Sequence, residues 1–180
     1  MRKNLLRWEL VGALFVCAAG TLLQFLYDWS GGNTIVAAFS SVNESTWEHM
    51  KLFFVPYFVF TVVQFVVFAE PFRNFFACKS VSAVAGLLLI PVLFYTINGA
   101  LGDTPDWVNI AIFYVAVALT YLLSFRLLTR GALRGGSLQL AGFALLWLLL
   151  FAFVYFTYRT PQLPIFCDPV TRCYGLGRTC

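Results

Sequence analysis

The chain has 180 residues, of which 61% are hydrophobic and only 11% are charged, and its formal net charge is +4. A soluble domain carries about 25% charged residues because water must cover its surface, so this composition excludes an ordinary soluble globule. The basic residues lie in short clusters between apolar runs rather than along one face, which argues against nucleic acid as a partner. We therefore expect an integral membrane protein that has the lipid bilayer as its main partner.

Five apolar stretches are long enough to cross a bilayer as helices, since a span needs about 20 apolar residues. None of them alternates with the period of two that is typical of a barrel strand. The first begins like a signal peptide, but its apolar run continues through "TLLQFLY", so we expect an uncleaved helix. The sequence predicts an all-α membrane protein with five transmembrane helices, at residues 8–27, 52–69, 81–101, 108–125 and 138–158.

The distribution of charge predicts the orientation of these helices. If the N-terminus is cytoplasmic, the cytoplasmic segments hold eight basic residues against two acids, and the opposite segments hold six acids against four bases. This bias follows the positive-inside rule. We expect a multi-pass protein of the cell membrane, bacterial inner or plasma membrane, with a cytoplasmic N-terminus and an extracytoplasmic C-terminal tail.

The tail is too rich in proline to form a sixth span. Pro161, Pro164 and Pro169 impose extended or turn geometry, while the apolar "LPIF" needs cover from water. We expect two parts: a five-helix bundle over residues 1–158, and a tail over residues 159–180 that packs on the outer mouth of the bundle.

The segment "SSVNESTWEHMKLFF" concentrates charge before the second span and holds the only histidine of the chain. Ser41 and Glu44 have the spacing of a capping box, which predicts a helix start near Ser41. On that helix Glu44, Glu48 and Lys51 share one stripe, and Glu48 is expected to pair with Lys51. The segment would lie at headgroup depth, so it either anchors the helix at the interface or lines a ligand pocket.

Further polar residues are expected inside or at the outer end of the bundle. In "IPVLFYTINGALG", Tyr95 and Asn98 lie on one helical face in the outer half of the third span. Gln24 and Gln64 are intramembrane amides that favour hydrogen bonds between helices. Small residues in the first helix favour close packing; these are Gly12, Ala13, Cys17 and Gly20.

Metal and cysteine chemistry receive little support from the sequence. A single histidine disfavours a zinc site, so no metal site is predicted, although the carboxylates near His49 could hold a hard cation. The sequence does not identify a cofactor. Cys167 and Cys173 enclose a short turn that could close a disulfide in an oxidising compartment. A catalytic cysteine is disfavoured because only His49 could act as its base.

Several segments resemble a family of small, uncharacterised bacterial integral membrane proteins that is known only as a domain of unknown function. The resemblance is carried by "SSVNESTWEHMKLFFVPY", "PFRNFFACKSV", "LLLIPVLFYTINGALG" and "LPIFCDPVTRCYG", which contain an NES-x-WEH motif and a DP-x-T-x-x-YG motif. Arg172 departs from the glycine expected after "DPVT". The resemblance implies no established activity, and it marks as motif positions Asn43, Glu44, Trp47, Glu48, His49, Asp168 and Tyr174.

Three hypotheses on function remain open at this point. The first is non-enzymatic binding or transport of a small polar or cationic ligand, an ion or a lipid headgroup at an outward-facing pocket. The second is an intramembrane enzyme with Glu48 or His49 as general base, and the third is a scaffold subunit of an oligomer or larger membrane complex. The candidate pocket residues are Asn43, Glu44, Trp47, Glu48, His49, Tyr95, Asn98, Asp168 and Tyr174.

Overall fold

The computed structural model describes residues 2–68, 72–102 and 105–176, without the side chain of Asp106. In these ranges the regular structure is helical apart from one isolated bridge between Cys167 and Tyr174. The predicted end of the second span at Ala69 and the last residues of the predicted tail, 177–180, lie outside the described residues. The helices are α1 (Arg2–Trp29), α2 (Thr34–Ala37), α3 (Thr46–Phe68), α4 (Phe75–Leu101), α5 (Asp106–Arg130) and α6 (Gly136–Tyr158), followed by a 3-10 turn at Pro164–Phe166.

Five of these helices, α1 and α3 to α6, are long and apolar enough to cross a membrane. This confirms the predicted number of spanning helices. Most extend beyond the predicted apolar runs, as α1 begins at Arg2 rather than near Trp8. The extra turns carry polar and charged side chains, because the backbone stays helical after the apolar run has ended.

The helices alternate in direction, so the bundle has two distinct ends. At one end, Asn74 at the start of α4 donates to the backbone carbonyl oxygen of Leu127 near the end of α5. At the other end, Lys51 at the start of α3 donates to Thr157 at the end of α6. We call these the arginine end and the tail end, because the first holds most of the arginines and the second carries residues 159–176.

Helix α3 lies at the centre of the bundle. In its most apolar stretch 61% of the residues are buried, against 17% to 33% in the other four spanning helices. Its aromatic side chains form much of the core, in which Phe53, Phe54 and Tyr57 are fully buried. A polar side chain on α3 is therefore in a position to bond to several other helices.

Small residues let the outer helices approach closely. A Cβ atom at Gly12 of α1 would lie 2.5 Å from the Phe60 ring and 2.6 Å from the Tyr121 ring, so the predicted small-residue face of α1 is a packing face. A Cβ atom at Gly142 of α6 would lie 2.7 Å from the carbonyl oxygen of Phe76. Neither contact leaves room for a side chain.

Candidate functional site

The start of α3 differs from the capping prediction. The helix begins at Thr46 rather than near Ser41, and Ser45 caps it by accepting a hydrogen bond from the backbone N–H of Glu48 at 3.4 Å. The prediction was wrong by one turn because two serines precede a glutamate at the same spacing, Ser41 before Glu44 and Ser45 before Glu48. The side chain of Asn43 accepts from the backbone N–H of Ser45 at 3.0 Å and fixes the turn before the cap.

Glu48 and Lys51 form the expected pair, and the pair is buried. Their charged atoms are 2.6 Å apart, and the Lys51 side chain is fully buried. The Lys51 ammonium also donates to the carbonyl oxygen of Ala37 and to the Thr157 hydroxyl, each at 2.9 Å. With the Glu48 contact, all three of its donors are used. This pair fixes α3 to α6 and to the segment that follows α1.

Glu44 and His49 form a second, accessible pair beside the first. His49 Nε2 lies 3.6 Å from Glu44 Oε2, and the two side chains are 25% and 49% exposed. The other Glu44 oxygen accepts a hydrogen bond of 2.6 Å from the Gln24 amide of α1. His49 Nδ1 lies 3.0 Å from the carbonyl oxygen of Ser45. We call Gln24, Glu44 and His49 the accessible triad.

The described part of the tail contacts the start of α3. The Asn43 side-chain amide donates to the carbonyl oxygen of Gly175 at 2.9 Å, and the buried Phe166 ring lies 4.6 Å from the Trp47 ring. The indole N–H of Trp47 is buried beneath it without a hydrogen-bond partner among the described residues. The tail and α3 thus share an apolar contact at Trp47, which is two residues before His49 in the sequence.

Asp168 and Tyr174 stabilise the tail itself. The two carboxylate oxygens of Asp168 accept hydrogen bonds from the Val170 N–H at 2.9 Å and the Thr171 hydroxyl at 2.7 Å, while Tyr174 forms the backbone bridge to Cys167. Arg172 has a φ of 61°, in the left-handed region that favours glycine, which matches the glycine that the family resemblance led us to expect at this position.

The predicted disulfide between Cys167 and Cys173 is wrong. Cys167 is a free thiol, whereas Cys173 is disulfide-bonded. The backbone bridge between Cys167 and Tyr174 pairs Cys167 with the neighbour of Cys173. Close sequence spacing did not fix the pairing, because a disulfide also requires a specific distance and orientation of the two Cβ atoms. The free Cys167 thiol lies 3.7 Å from the carbonyl oxygen of Asp168.

Tyr95 and Asn98 lie in the second half of α4. The last buried residue of α4 is Ile90, and after it the helix is exposed or partly exposed. The Tyr95 side chain is exposed, and the Asn98 amide donates to the carbonyl oxygen of Phe94 in its own helix at 2.9 Å. The helical face was predicted from spacing, but spacing does not tell which neighbour that face meets.

The sequence analysis missed a second buried charge pair. Glu9 of α1 and Lys79 of α4 are almost completely buried and meet through both carboxylate oxygens, at 2.8 and 3.0 Å. The fully buried Gln64 of α3 donates to Glu9 at 2.8 Å, which confirms the expected interhelical role of that amide. Glu9 and Lys79 are among the charges from which the positive-inside rule predicts the orientation. An acid inside the predicted first span was the signal that could have revealed the pair.

Aromatic and hydroxyl side chains surround the Lys79 ammonium. It lies 5.1 Å from the centre of the Tyr121 ring, within the range of a cation–π contact. The Tyr57 hydroxyl donates to the carbonyl oxygen of Lys79 at 2.9 Å. Among the described residues, the Tyr121 hydroxyl and Gln64 Oε1 are buried without a hydrogen-bond partner. This polar core joins four spanning helices, α1, α3, α4 and α5.

The described residues contain no group of three or more His, Cys, Asp or Glu side chains that could hold a metal ion. Glu44 and His49 by themselves supply two potential ligands, fewer than a structural zinc site uses. The arrangement is therefore better suited to a proton or to an N–H donor than to a tightly held metal.

Comparison with known proteins gives a family but no activity. The model of a family of unknown function, DUF6512, matches residues 1–176. No curated protein and no solved structure matches the chain.

Proposed function

The chain belongs to DUF6512, a family of unknown function, and on that premise we propose from its geometry that it binds a small cationic ligand, without catalysis, at the accessible triad. The triad is polar, partly open and fixed by neighbouring elements. The ligand class is an amine or ammonium group, and transport of the same ligand across the bundle is the extended form of the proposal.

The observation that carries the proposal is the contact between His49 and Glu44. A carbonyl oxygen can only accept, so His49 Nδ1 carries a hydrogen where it meets the Ser45 carbonyl oxygen at 3.0 Å. In a neutral ring Nε2 is then an acceptor, and it faces a carboxylate oxygen 3.6 Å away. Two acceptors at this distance need a proton or a donor between them. An ammonium group supplies both the hydrogens and the positive charge.

The surrounding contacts hold the triad in place. Gln24 fixes one Glu44 oxygen at 2.6 Å, and the buried pair of Glu48 and Lys51 fixes the start of α3 that carries His49. A site held in this way loses little side-chain entropy on binding. The roles divide accordingly: Glu48 and Lys51 support the site, whereas Glu44 and His49 contact the ligand.

An intramembrane enzyme with Glu48 as general base has less support. A general base needs free access to the proton that it removes, whereas Glu48 lies 2.6 Å from an ammonium group and accepts a hydrogen bond from the Val42 N–H at 3.1 Å. His49 remains the better base for that hypothesis. A scaffold role needs no pocket, so it predicts that the triad can be changed without effect.

Thermal stability tests the proposal. The full chain, purified in a neutral detergent, is titrated with ethanolamine hydrochloride, and sodium chloride of equal ionic strength serves as the reference. We expect ethanolamine to raise the Tm, and we expect Glu44→Gln and His49→Leu to weaken its apparent affinity about tenfold, because each removes a charged or paired acceptor.

Asp28→Asn is the matched control, since Asp28 is an exposed acid at the same end of the bundle and outside the triad. It should retain the full response to ethanolamine. An equal rise of the Tm in Glu44→Gln, or no rise in the natural chain, would contradict the proposal and favour a scaffold role.

A further inference from the structure

Two adjoining cavities open at the arginine end, the end opposite to the accessible triad. Their volumes are about 420 and 290 Å³. Both are lined by Arg2 and Thr129, so they are neighbouring parts of one cleft. The first also contains Arg126 and Arg130, and the second contains Arg73 and Arg134. We call the two together the arginine cleft.

The arginines of the cleft come from separate parts of the chain. Arg2 is at the start of α1, Arg73 precedes α4, and Arg134 lies in the loop between α5 and α6. Arg126 and Arg130 are one turn apart on α5, so they share a face of that helix. Basic residues that serve only as signals of orientation need not converge, whereas here arginines from four segments of the chain line one cleft.

The loop that carries Arg134 is held in place by side chains. Asn74 donates to the carbonyl oxygen of Ala132 at 2.8 Å, and Gln139 donates to that of Leu133 at 2.6 Å. Leu133 has a φ of 60°, which is strained for a branched side chain and needs such support. The Arg134 guanidinium lies so close to Gly131 that a Cβ atom there would overlap it. The loop therefore holds Arg134 in a defined position.

No described acid neutralises the positive charge of the cleft. No acidic residue is among the described lining residues of either cavity. Glu9 is the described acid at this end, and both of its oxygens are used by Lys79. Glu70, the other acid of this end in the sequence, lies outside the described residues. A cleft that several arginines line without a described acid beside them favours a phosphate group. Arginine binds phosphate through two parallel hydrogen bonds.

We propose that the arginine cleft binds the phosphate of an anionic phospholipid. The apolar part of the lining supports a lipid rather than a free anion, because Leu122 and Phe125 lie beside the arginines on α5. Leu122 is 43% exposed and lies one turn from Arg126, toward the apolar middle of the helix. The headgroup occupies the cleft while an acyl chain follows the exposed face of α5 into the bilayer.

Native mass spectrometry of the full chain in a neutral detergent tests this proposal. Phosphatidylglycerol is the anionic probe, phosphatidylcholine is the neutral one, and inorganic phosphate and glycerophosphate are soluble competitors. We expect retention of phosphatidylglycerol over phosphatidylcholine. The affinity should fall about fivefold for Arg126→Gln or Arg130→Gln, and roughly 25-fold for the double variant, because one basic residue near an anionic surface contributes about 1 kcal/mol.

Arg159→Gln is the matched control, because Arg159 is an exposed arginine at the tail end, and it should bind the lipid like the natural chain. Thermal unfolding without lipid checks that each variant is folded, and the two single variants provide the test if the double variant is not. Equal retention of the two lipids, or full retention in both single variants, overturns the proposal. Complete competition by inorganic phosphate or glycerophosphate also overturns it, because the cleft would then be a site for a soluble anion.

Discussion

Lys79 lies inside the bundle with its charge compensated by Glu9. A charge at membrane depth costs several kcal/mol when it has no partner, and here the carboxylate, the Gln64 amide and the Tyr121 ring share the cost. Glu48 and Lys51 repeat the arrangement near the other end, where three oxygen acceptors surround the ammonium. At the scale of single residues, the buried charges of the described spanning helices form compensated pairs.

Replacing one member of the Glu9 and Lys79 pair should destabilise the protein strongly. Lys79→Met leaves the Glu9 carboxylate buried with only the Gln64 amide, so we expect a loss of about 3–5 kcal/mol in the free energy of unfolding. The double variant Glu9→Leu with Lys79→Met should recover most of this loss, since no buried charge remains. Unfolding in mixed micelles with a denaturing detergent measures both values.

Lys3→Met is the control for this substitution, because Lys3 is exposed at the same end of the bundle. Its effect should stay within about 0.5 kcal/mol. A small effect of Lys79→Met would mean that water or a lipid headgroup reaches Glu9 and replaces the lysine.

At the scale of helices, the contact surfaces are set by small residues as well as by aromatic ones. Gly12 receives the Phe60 and Tyr121 rings, and Gly142 receives the backbone of α4. Backbone contacts cannot move aside as side chains can, so the interface between α4 and α6 is the less tolerant of the two. Polar contacts reinforce the same interface, since Gln139 of α6 accepts from the backbone N–H of Ala77 in α4 at 3.2 Å.

Gly142→Ala should separate α4 from α6. The added methyl group would lie 2.7 to 2.8 Å from backbone atoms of Phe76 and Ala77, and we expect a loss of about 1–3 kcal/mol in the free energy of unfolding. Gly99→Ala is the matched control within a helix, because no atom lies within 4 Å of the added group. It should be neutral or stabilising by up to about 1 kcal/mol. Equal effects of the two substitutions, in the same unfolding assay, would show that helix propensity and not packing is responsible.

At the scale of the whole molecule, the two ends of the bundle differ in chemistry. The tail end holds the accessible triad with its exposed Glu44 and the contact between Trp47 and Phe166. The arginine end holds the cleft with its converging guanidinium groups. If the positive-inside rule applies, the cleft faces the cytoplasm and the triad faces outward, so the two proposed sites are on opposite sides of the membrane.

Labelling with a membrane-impermeant thiol reagent tests this orientation. In a chain whose five native cysteines are replaced by serine, Val170→Cys should react in intact cells, because Val170 is exposed in the tail. Lys3→Cys, exposed at the arginine end, should react only after lysis. The chain without cysteine measures background labelling. If Lys3→Cys reacted in intact cells and Val170→Cys reacted only after lysis, the N-terminus would be outside.

The membrane class and the five spanning helices could be predicted from the length of the hydrophobic stretches, and the pairing of Glu48 with Lys51 from helical spacing. Both are local properties of the sequence. It misplaced the start of α3 by one turn, because two serines precede a glutamate at the same spacing. It also predicted a bond for Cys167, which is a free thiol, because sequence spacing alone does not select one pair among several cysteines. Only the packing of the helices shows that Glu9 meets Lys79 and that arginines from separate segments line one cleft. Each of these depends on which helix faces interlock, and the shapes of distant side chains set that packing.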